Sequence, residues 1–226
     1  MKAETLEMLK RLISDEKCLS NYPTDEIVEC VQVYMNNCAF LYRLYTHTFK
    51  NSKDVISDDW KDVEVSSVDS GYRLSYGIEG KTLLLDRNQM LRLLIIAIDA
   101  LDEILPLGTV VDLKKEYLRK NLPVDEVDKV RVVITHRFLS GGNNKYYFPY
   151  AGVIYPFGAP NESKYINFTS HLIEDVVHRG FSDEQDEAYI LLMKHELLEE
   201  KRIHSFGFAS RDDLESFQKQ ITSEVG

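Results

Sequence analysis

At 226 residues, 44% hydrophobic and 28% charged, the chain has the composition of a folded protein and the length of one large domain or two small ones. Its 27 basic against 37 acidic residues leave a net charge of −10. That balance argues against a duplex nucleic-acid binder, whose affinity comes from neutralising phosphates, and against adsorption to anionic membranes.

Ala3–Ile13 reads as a short amphipathic helix. Pro23 and Thr24 open a long one, with Asp25 and Glu26 at the positive end of its dipole. Ile27, Val31, Tyr34, Met35, Cys38, Leu41, Tyr42 and Tyr45 fall on one stripe of that helix, and its tyrosines suit an interface. Asn51–Asp59 reads as a polar linker. Three β-like runs follow, Val63–Val68, Tyr72–Ile78 and Thr82–Leu85, separated by Asp69-Ser-Gly71 and Glu79-Gly80. Asp86, with Gln89 three residues on, has the form of a capping box for a helix that buries Met90, Leu93, Leu94, Ala97, Leu101 and Leu105 and stops at Pro106.

Strand character dominates from there. Leu107–Leu113 reads as a strand and Lys114–Asp128 as a charged excursion. Val130–Leu139 and Tyr146–Tyr155 flank Gly141-Gly-Asn-Asn144, a hairpin loop. Tyr165–Phe168 is a further strand, Ser170–Ile173 a turn and Asp175–Phe181 a last strand. Ser182-Asp-Glu-Gln185 reads as a capping box that opens a helix with Ala188, Leu191, Leu192, His195 and Leu198 on one side. Gly207 separates it from a final helix, Asp212–Ile221, capped by Ser210. The fold class expected is α+β: an N-terminal helical unit with a small β-hairpin (residues 1–105), then a small antiparallel β module with C-terminal helices (residues 106–226).

No metal or cofactor motif stands out. Cys18, Cys30 and Cys38 match no zinc or redox spacing, and on one helix Cys30 and Cys38 would lie about 12 Å apart, too far to bridge. Reduced thiols and a cytoplasmic location are expected. The opening MKAETLEMLKRL carries acids where a signal peptide has none, and the longest apolar run, Leu91–Leu101, is too short and too interrupted to span a membrane. Asn161-Glu-Ser163 and Asn167-Phe-Thr169 read as chance glycosylation triplets. His171, Glu174 and His178 form an H-x-x-E-x-x-x-H pattern that could hold a metal on a helix, but Val176, Val177 and Gly180 favour a strand there. His195 and Glu199 read as a surface or boundary pair. Gly-x-Ser-x-Gly is absent, and Gly141-Gly142 lacks a phosphate-cradle pattern. The aromatics Tyr146, Tyr147, Phe148, Tyr150, Tyr155 and Phe157 could stack bases or grip a peptide, but their alternating spacing is more often that of a half-buried sheet. Tyr146, Phe148 and Tyr150 share one face of that alternation, opposite Tyr147.

Leu105-Pro106-Leu107-Gly108-Thr109-Val110-Val111-Asp112-Leu113 is the first half of a wider pattern. Its second half is Tyr150-Ala-Gly-Val-Ile-Tyr-Pro156, Ile166-Asn-Phe168, His171-Leu-Ile173, Val176-Val177 and Arg179-Gly180-Phe181, followed by Asp183, Glu184, Asp186 and Glu187. Together these resemble the bacterial family called domain of unknown function 4176, over roughly Leu105–Glu187. The chain departs from the family pattern in Lys114–Asp128, where a tight connection is usual, and in lacking a glycine soon after the first strand. The resemblance implies a Gram-positive bacterial origin and a gene neighbourhood of type VII secretion with LXG-type toxins. It implies no known catalysis.

The expected function is a non-enzymatic cytoplasmic accessory protein, in a chaperone or adaptor role, that binds a type VII secretion substrate or toxin. Tyr34, Tyr42, Tyr45, Tyr146, Phe148 and Tyr150 are its candidate partner-binding residues. The partner expected is a protein, a secreted toxin or secretion component, with no nucleic acid, no cofactor and no membrane span. One alternative is an immunity protein whose acidic flanks meet a basic toxin. Another is a metal-dependent hydrolase using His171, Glu174 and His178. Residues 1–105 and 182–226 each carry a net −6 and residues 106–181 a net +2, so the acidity belongs to the flanks.

Overall fold

The computed structural model describes residues 2–32, 38–51, 56–58, 63–68, 71–76, 81–114, 129–141, 144–158, 165–212 and 214–215. The protein is α+β and divides into two compact units. One comprises Met1–Asp102 with Lys194–Glu200, the other Glu103–Met193 with Lys201–Gly226.

In the first unit α1 (Lys2–Asp15), α2 (Thr24–Gln32) and α3 (Cys38–Phe49) precede a four-stranded antiparallel meander. Its strands are β1 (Ile56–Asp58), β2 (Val63–Val68), β3 (Gly71–Tyr76) and β4 (Lys81–Leu85), and α4 (Arg87–Leu101) follows. Three of these strands match the sequence reading to within two residues. The fourth, β1, lies inside the stretch read as a polar linker. It pairs Ile56 with Val65 at the sheet edge, where too few apolar residues are needed to leave a mark on the sequence. Val65, Leu74 and Leu83 sit side by side in register and are buried, as are Tyr72 and Leu85. Arg73 and Leu84 on the opposite face are exposed. This is the period-2 alternation of a sheet covered on one side.

Asp86 caps α4 as expected. Its side chain accepts from the Gln89 N–H at 2.8 Å, and the Gln89 side chain accepts from the Asp86 N–H at 2.8 Å. The other end of α4 is held by Lys194, whose buried Nζ donates to Ala100 O at 2.9 Å and Asp102 O at 2.6 Å. An ammonium there satisfies carbonyls that the helix leaves open, at its negative end. Burial pushes the lysine pKa down, against the pull of Asp102 and Asp99.

In the second unit a six-stranded sheet runs β10-β7-β6-β5-β9, with β8 paired to β7. The strands are β5 (Val110–Leu113), β6 (Val130–Gly141), β7 (Tyr146–Ile154), β8 (Ile166–Phe168), β9 (Ile173–His178) and β10 (His204–Ser205), with α5 (Glu184–Lys194) before β10. The β6–β7 hairpin forms around the expected loop. The residues read as the start of the first strand instead make a turn. Gly108 has φ +78°, its N–H donates to Ile134 O at 2.8 Å, and Thr109 O accepts from Ile134 N at 2.8 Å. Thr109 Oγ1 donates to Pro106 O at 2.7 Å and accepts from Gly180 N at 3.0 Å. The motif residues Pro106, Gly108, Thr109 and Gly180 therefore form one clasp at the sheet edge.

Three further expectations change. The last predicted strand moves to Ile173–His178, and the two-residue β10 adds a parallel partner for β7. The cap of α5 is Asp183 rather than Ser182, since Asp183 Oδ1 accepts from Asp186 N at 2.9 Å. The apolar side read for this helix is only partly buried: Leu198 is buried and Leu191 half-buried, while Ala188 and His195 are exposed. Leu192 is 62% exposed, while the helix continues as a π-helical turn, His195–Glu200, that buries Leu197 and Leu198. The exposed Ala188 and Leu192 lie in α5, before the wider turn, and the buried Leu198 lies within it. The single long helix expected from Thr24 is seen as α2 and α3, with 33–37 outside the described residues. Most of Asp212–Ile221 also lies outside them.

Tyr150 ties the start of the unit to its sheet. Its buried hydroxyl donates to Glu103 O at 3.1 Å and accepts from Leu105 N at 2.9 Å. Tyr150→Phe keeps the packing and strands the buried Leu105 N–H, so urea denaturation should show a loss of about 1–2 kcal/mol. A wild-type midpoint would show that water replaces the hydroxyl.

Candidate functional site

The site is built on an irregularity in β6. Its pairing with β7 shifts register between Ile134 and His136, so Thr135 is an extra residue, with Oγ1 2.9 Å from His136 Nδ1. Phe138 follows at φ +55°, a left-handed conformation that a bulky side chain adopts only under constraint. Bulges of this kind re-aim side chains.

Arg137, between these two features, has a side chain only 5% exposed. It donates from Nη2 to Asp186 Oδ1 at 2.5 Å, and its Cζ lies 5.5 Å from the Tyr189 ring centroid. Its Nε and Nη1 are buried and have no hydrogen-bond partner. Asp186 is placed by α5 and also accepts from Ser182 Oγ at 3.1 Å. Burial alone would raise the Asp186 pKa. The hydrogen bond and charge of Arg137 outweigh it and hold the carboxyl below its ordinary value. Beside this pair opens a cavity of about 600 Å³, lined by Leu107, Arg137, Phe138, Asp183, Gln185 and Tyr189 among others. Each buried unpaired donor costs about 1–3 kcal/mol, and a left-handed phenylalanine about 1–2 more. Three such costs beside one cavity mark a place shaped by something other than stability.

None of the five described candidate partner-binding aromatics, Tyr42, Tyr45, Tyr146, Phe148 and Tyr150, lines this cavity. Tyr34 lies outside the described residues. Tyr42 and Tyr45 are half-buried in the first unit. The Tyr42 hydroxyl donates to Asp102 Oδ2 at 3.5 Å, and Tyr45 stacks on Phe49 at 5.9 Å. Burial pushes the Tyr45 phenol up. In the second unit Tyr146, Phe148 and Tyr150 are all buried, and Tyr147 opposite them is too. Neither face of the alternation is open: Tyr146 and Phe148 pack on Phe206 at 4.8 and 4.5 Å and Tyr150 stacks on Phe168 at 5.3 Å, while Tyr147 meets Phe138 at 6.2 Å. What the sequence missed is Arg137 with Asp186, partners 49 residues apart that no spacing links.

The histidine pattern is dispersed by the fold. His171 sits on a 3-10 turn, with Nδ1 2.8 Å from Thr169 Oγ1. Glu174 and His178 are exposed on β9. Among the described residues no three His, Cys, Asp or Glu side chains are grouped to hold a metal. His195 Nε2 does meet Glu199 Oε2 at 3.0 Å, and Arg11 Nε shares that carboxylate at 2.6 Å. The cysteines are free, and burial pushes Cys18 up to about 11 and Cys30 and Cys38 up to about 12, which keeps them as thiols.

Burial, helped by Lys114, takes the His171 pKa down to about 4. In the unfolded chain an ordinary histidine titrates near 6.5. Its contribution is thus present in full above about pH 6.5 and is lost as pH falls toward 4. Urea denaturation at pH 7 and 4.5 should differ by about 2 kcal/mol through this group, and His171→Gln should flatten that slope. An unchanged slope would assign the pH dependence elsewhere.

The turn clasp, the mixed-edge antiparallel sheet and the helix that closes on β6 define a small α+β domain. Residues 104–189 match the family described as Domain of unknown function (DUF4176), a span that holds both halves of the cavity. No curated protein and no solved structure matches the chain. Among the described residues no helix is long and apolar enough to cross a membrane.

Proposed function

We propose that the protein is a non-enzymatic accessory protein of the cytoplasm that binds a type VII secretion substrate or LXG-type toxin, as a chaperone or adaptor. The observation that carries this reading is the outer edge of the second sheet. Among the described residues β9 has a strand partner on one side only, β5. Val176 and Val177 are 41% and 44% exposed, and Phe181 just beyond is 82% exposed. A strand with apolar side chains open to solvent and one free edge invites a further strand. The secretion and toxin gene neighbourhood that the family resemblance implies supports the choice of partner. Affinity capture of the tagged full chain from its native host, read by mass spectrometry, should retain a secreted protein encoded nearby. Capture of no secreted protein overturns the proposal.

The acidic start of α5 favours a second reading, an immunity protein facing a basic toxin. Co-expression separates the two. An immunity protein rescues cells from the toxin domain alone, whereas a chaperone does not.

A further inference from the structure

We propose that the cavity between β6 and α5 is a peptide-binding site. It takes an extended segment with one apolar or aromatic side chain flanked by lysine or arginine, and it rests on the protein-binding role proposed above. Three observations choose this occupant. Arg137 lines the cavity with Nε and Nη1 buried and unpartnered, so the guest must bring oxygen acceptors. Phe138 and Tyr189 meet edge-to-face at 6.1 Å, and with Leu107 they give an apolar surface for a side chain. Charge then separates the possible acceptors. The charge of Arg137 is already matched by Asp186, which leaves Asp183 on the cavity wall with Glu184 and Glu187 on the same first turns of α5. A carboxylate or phosphate entering here meets net negative charge. A peptide carbonyl does not, and basic neighbours on the same peptide gain from it.

Tyr189 is the movable part. Its ring covers the guanidinium yet is 43% exposed on α5, so turning it aside gives up the cation–π contact with Arg137 and the edge-to-face contact with Phe138 and lays the donors open. Asp186 and Ser182 keep the guanidinium in place while this happens.

The test uses the full chain labelled with ¹⁵N and three N-acetylated, C-amidated pentapeptides: Lys-Lys-Phe-Lys-Lys, Lys-Lys-Gly-Lys-Lys and Glu-Glu-Phe-Glu-Glu. The first should shift the Arg137 Nε–H resonance and the amides of 135–139 and 183–189. It should bind about tenfold more tightly than either control, the scale of one buried apolar side chain or one charged hydrogen bond. Added salt should weaken it. Arg137→Met should weaken it about tenfold, and so should Tyr189→Ala, a partly exposed change that serves if Arg137→Met does not fold. Equal binding of the glycine peptide would reveal only an acidic surface, and tighter binding of the glutamate peptide an anion site. Either result, or no shift with any peptide, overturns the inference. Failure is distinguishable from failure of the adaptor role. If Tyr189→Ala still captures a secreted partner as well as wild type, the role stands and the cavity is not its site. If the peptide binds but nothing secreted is captured, the reverse holds.

Discussion

Gly152→Ala should destabilise the second unit by about 3 kcal/mol or more. Gly152 lies in the middle of β7, paired with Ile134 on one side and Ile166 on the other. A Cβ there would be driven into Val133 O and Val132 Cγ1 of the neighbouring strand. The obstacle is mainly backbone in the interior of a sheet, so no rotamer change relieves it. Either β6 and β7 separate locally or the register slips. Native-state hydrogen exchange reads the effect, with amides of β6 and β7 losing protection by about two orders of magnitude. Wild-type protection would mean that the strands part cheaply at this point.

Arg137→Met should cost about 3 kcal/mol, because it leaves the Asp186 carboxylate largely buried without its cation. The pH dependence identifies the cause. With Arg137 present, Asp186 has a folded pKa below its unfolded value, so its contribution is present above about pH 4 and lost on acidification. Without Arg137, desolvation is the largest remaining influence and raises the folded value. The contribution is then present below about pH 4 and lost as pH rises. Denaturant midpoints at pH 7 and 4 should therefore show a smaller penalty for the variant at the lower pH. Arg137→Met combined with Asp186→Leu should recover most of the loss, since replacing both charges removes the buried orphan. An equal penalty at both pH values would place the loss in packing rather than charge.

Local signals were the legible ones. The Asp86 box and the hairpin around Gly141–Asn144 each need only a few adjacent residues, and both stand where the sequence places them. The motif Leu105–Leu113 was recognisable as a pattern, but its role was not. Thr109 and Gly180 meet across 71 residues, and only their contact shows why both belong to one pattern. The aromatics illustrate the opposite case. Tyr146, Phe148 and Tyr150 alternate as a one-sided strand would, yet Phe206 and Phe168 cover them from later in the chain. Alternation reports which side chains share a face, not whether that face is covered.

By itself, then, the sequence determined the α+β class, most strand positions and the resemblance over the central third, because periodicity, caps and turn residues act over a handful of positions. The tertiary structure alone decided the candidate site. A bulge at Thr135 and a left-handed Phe138 set Arg137 against a carboxylate on a helix 49 residues away. Long-range pairing of this kind depends on sheet register and helix placement, which no local pattern encodes.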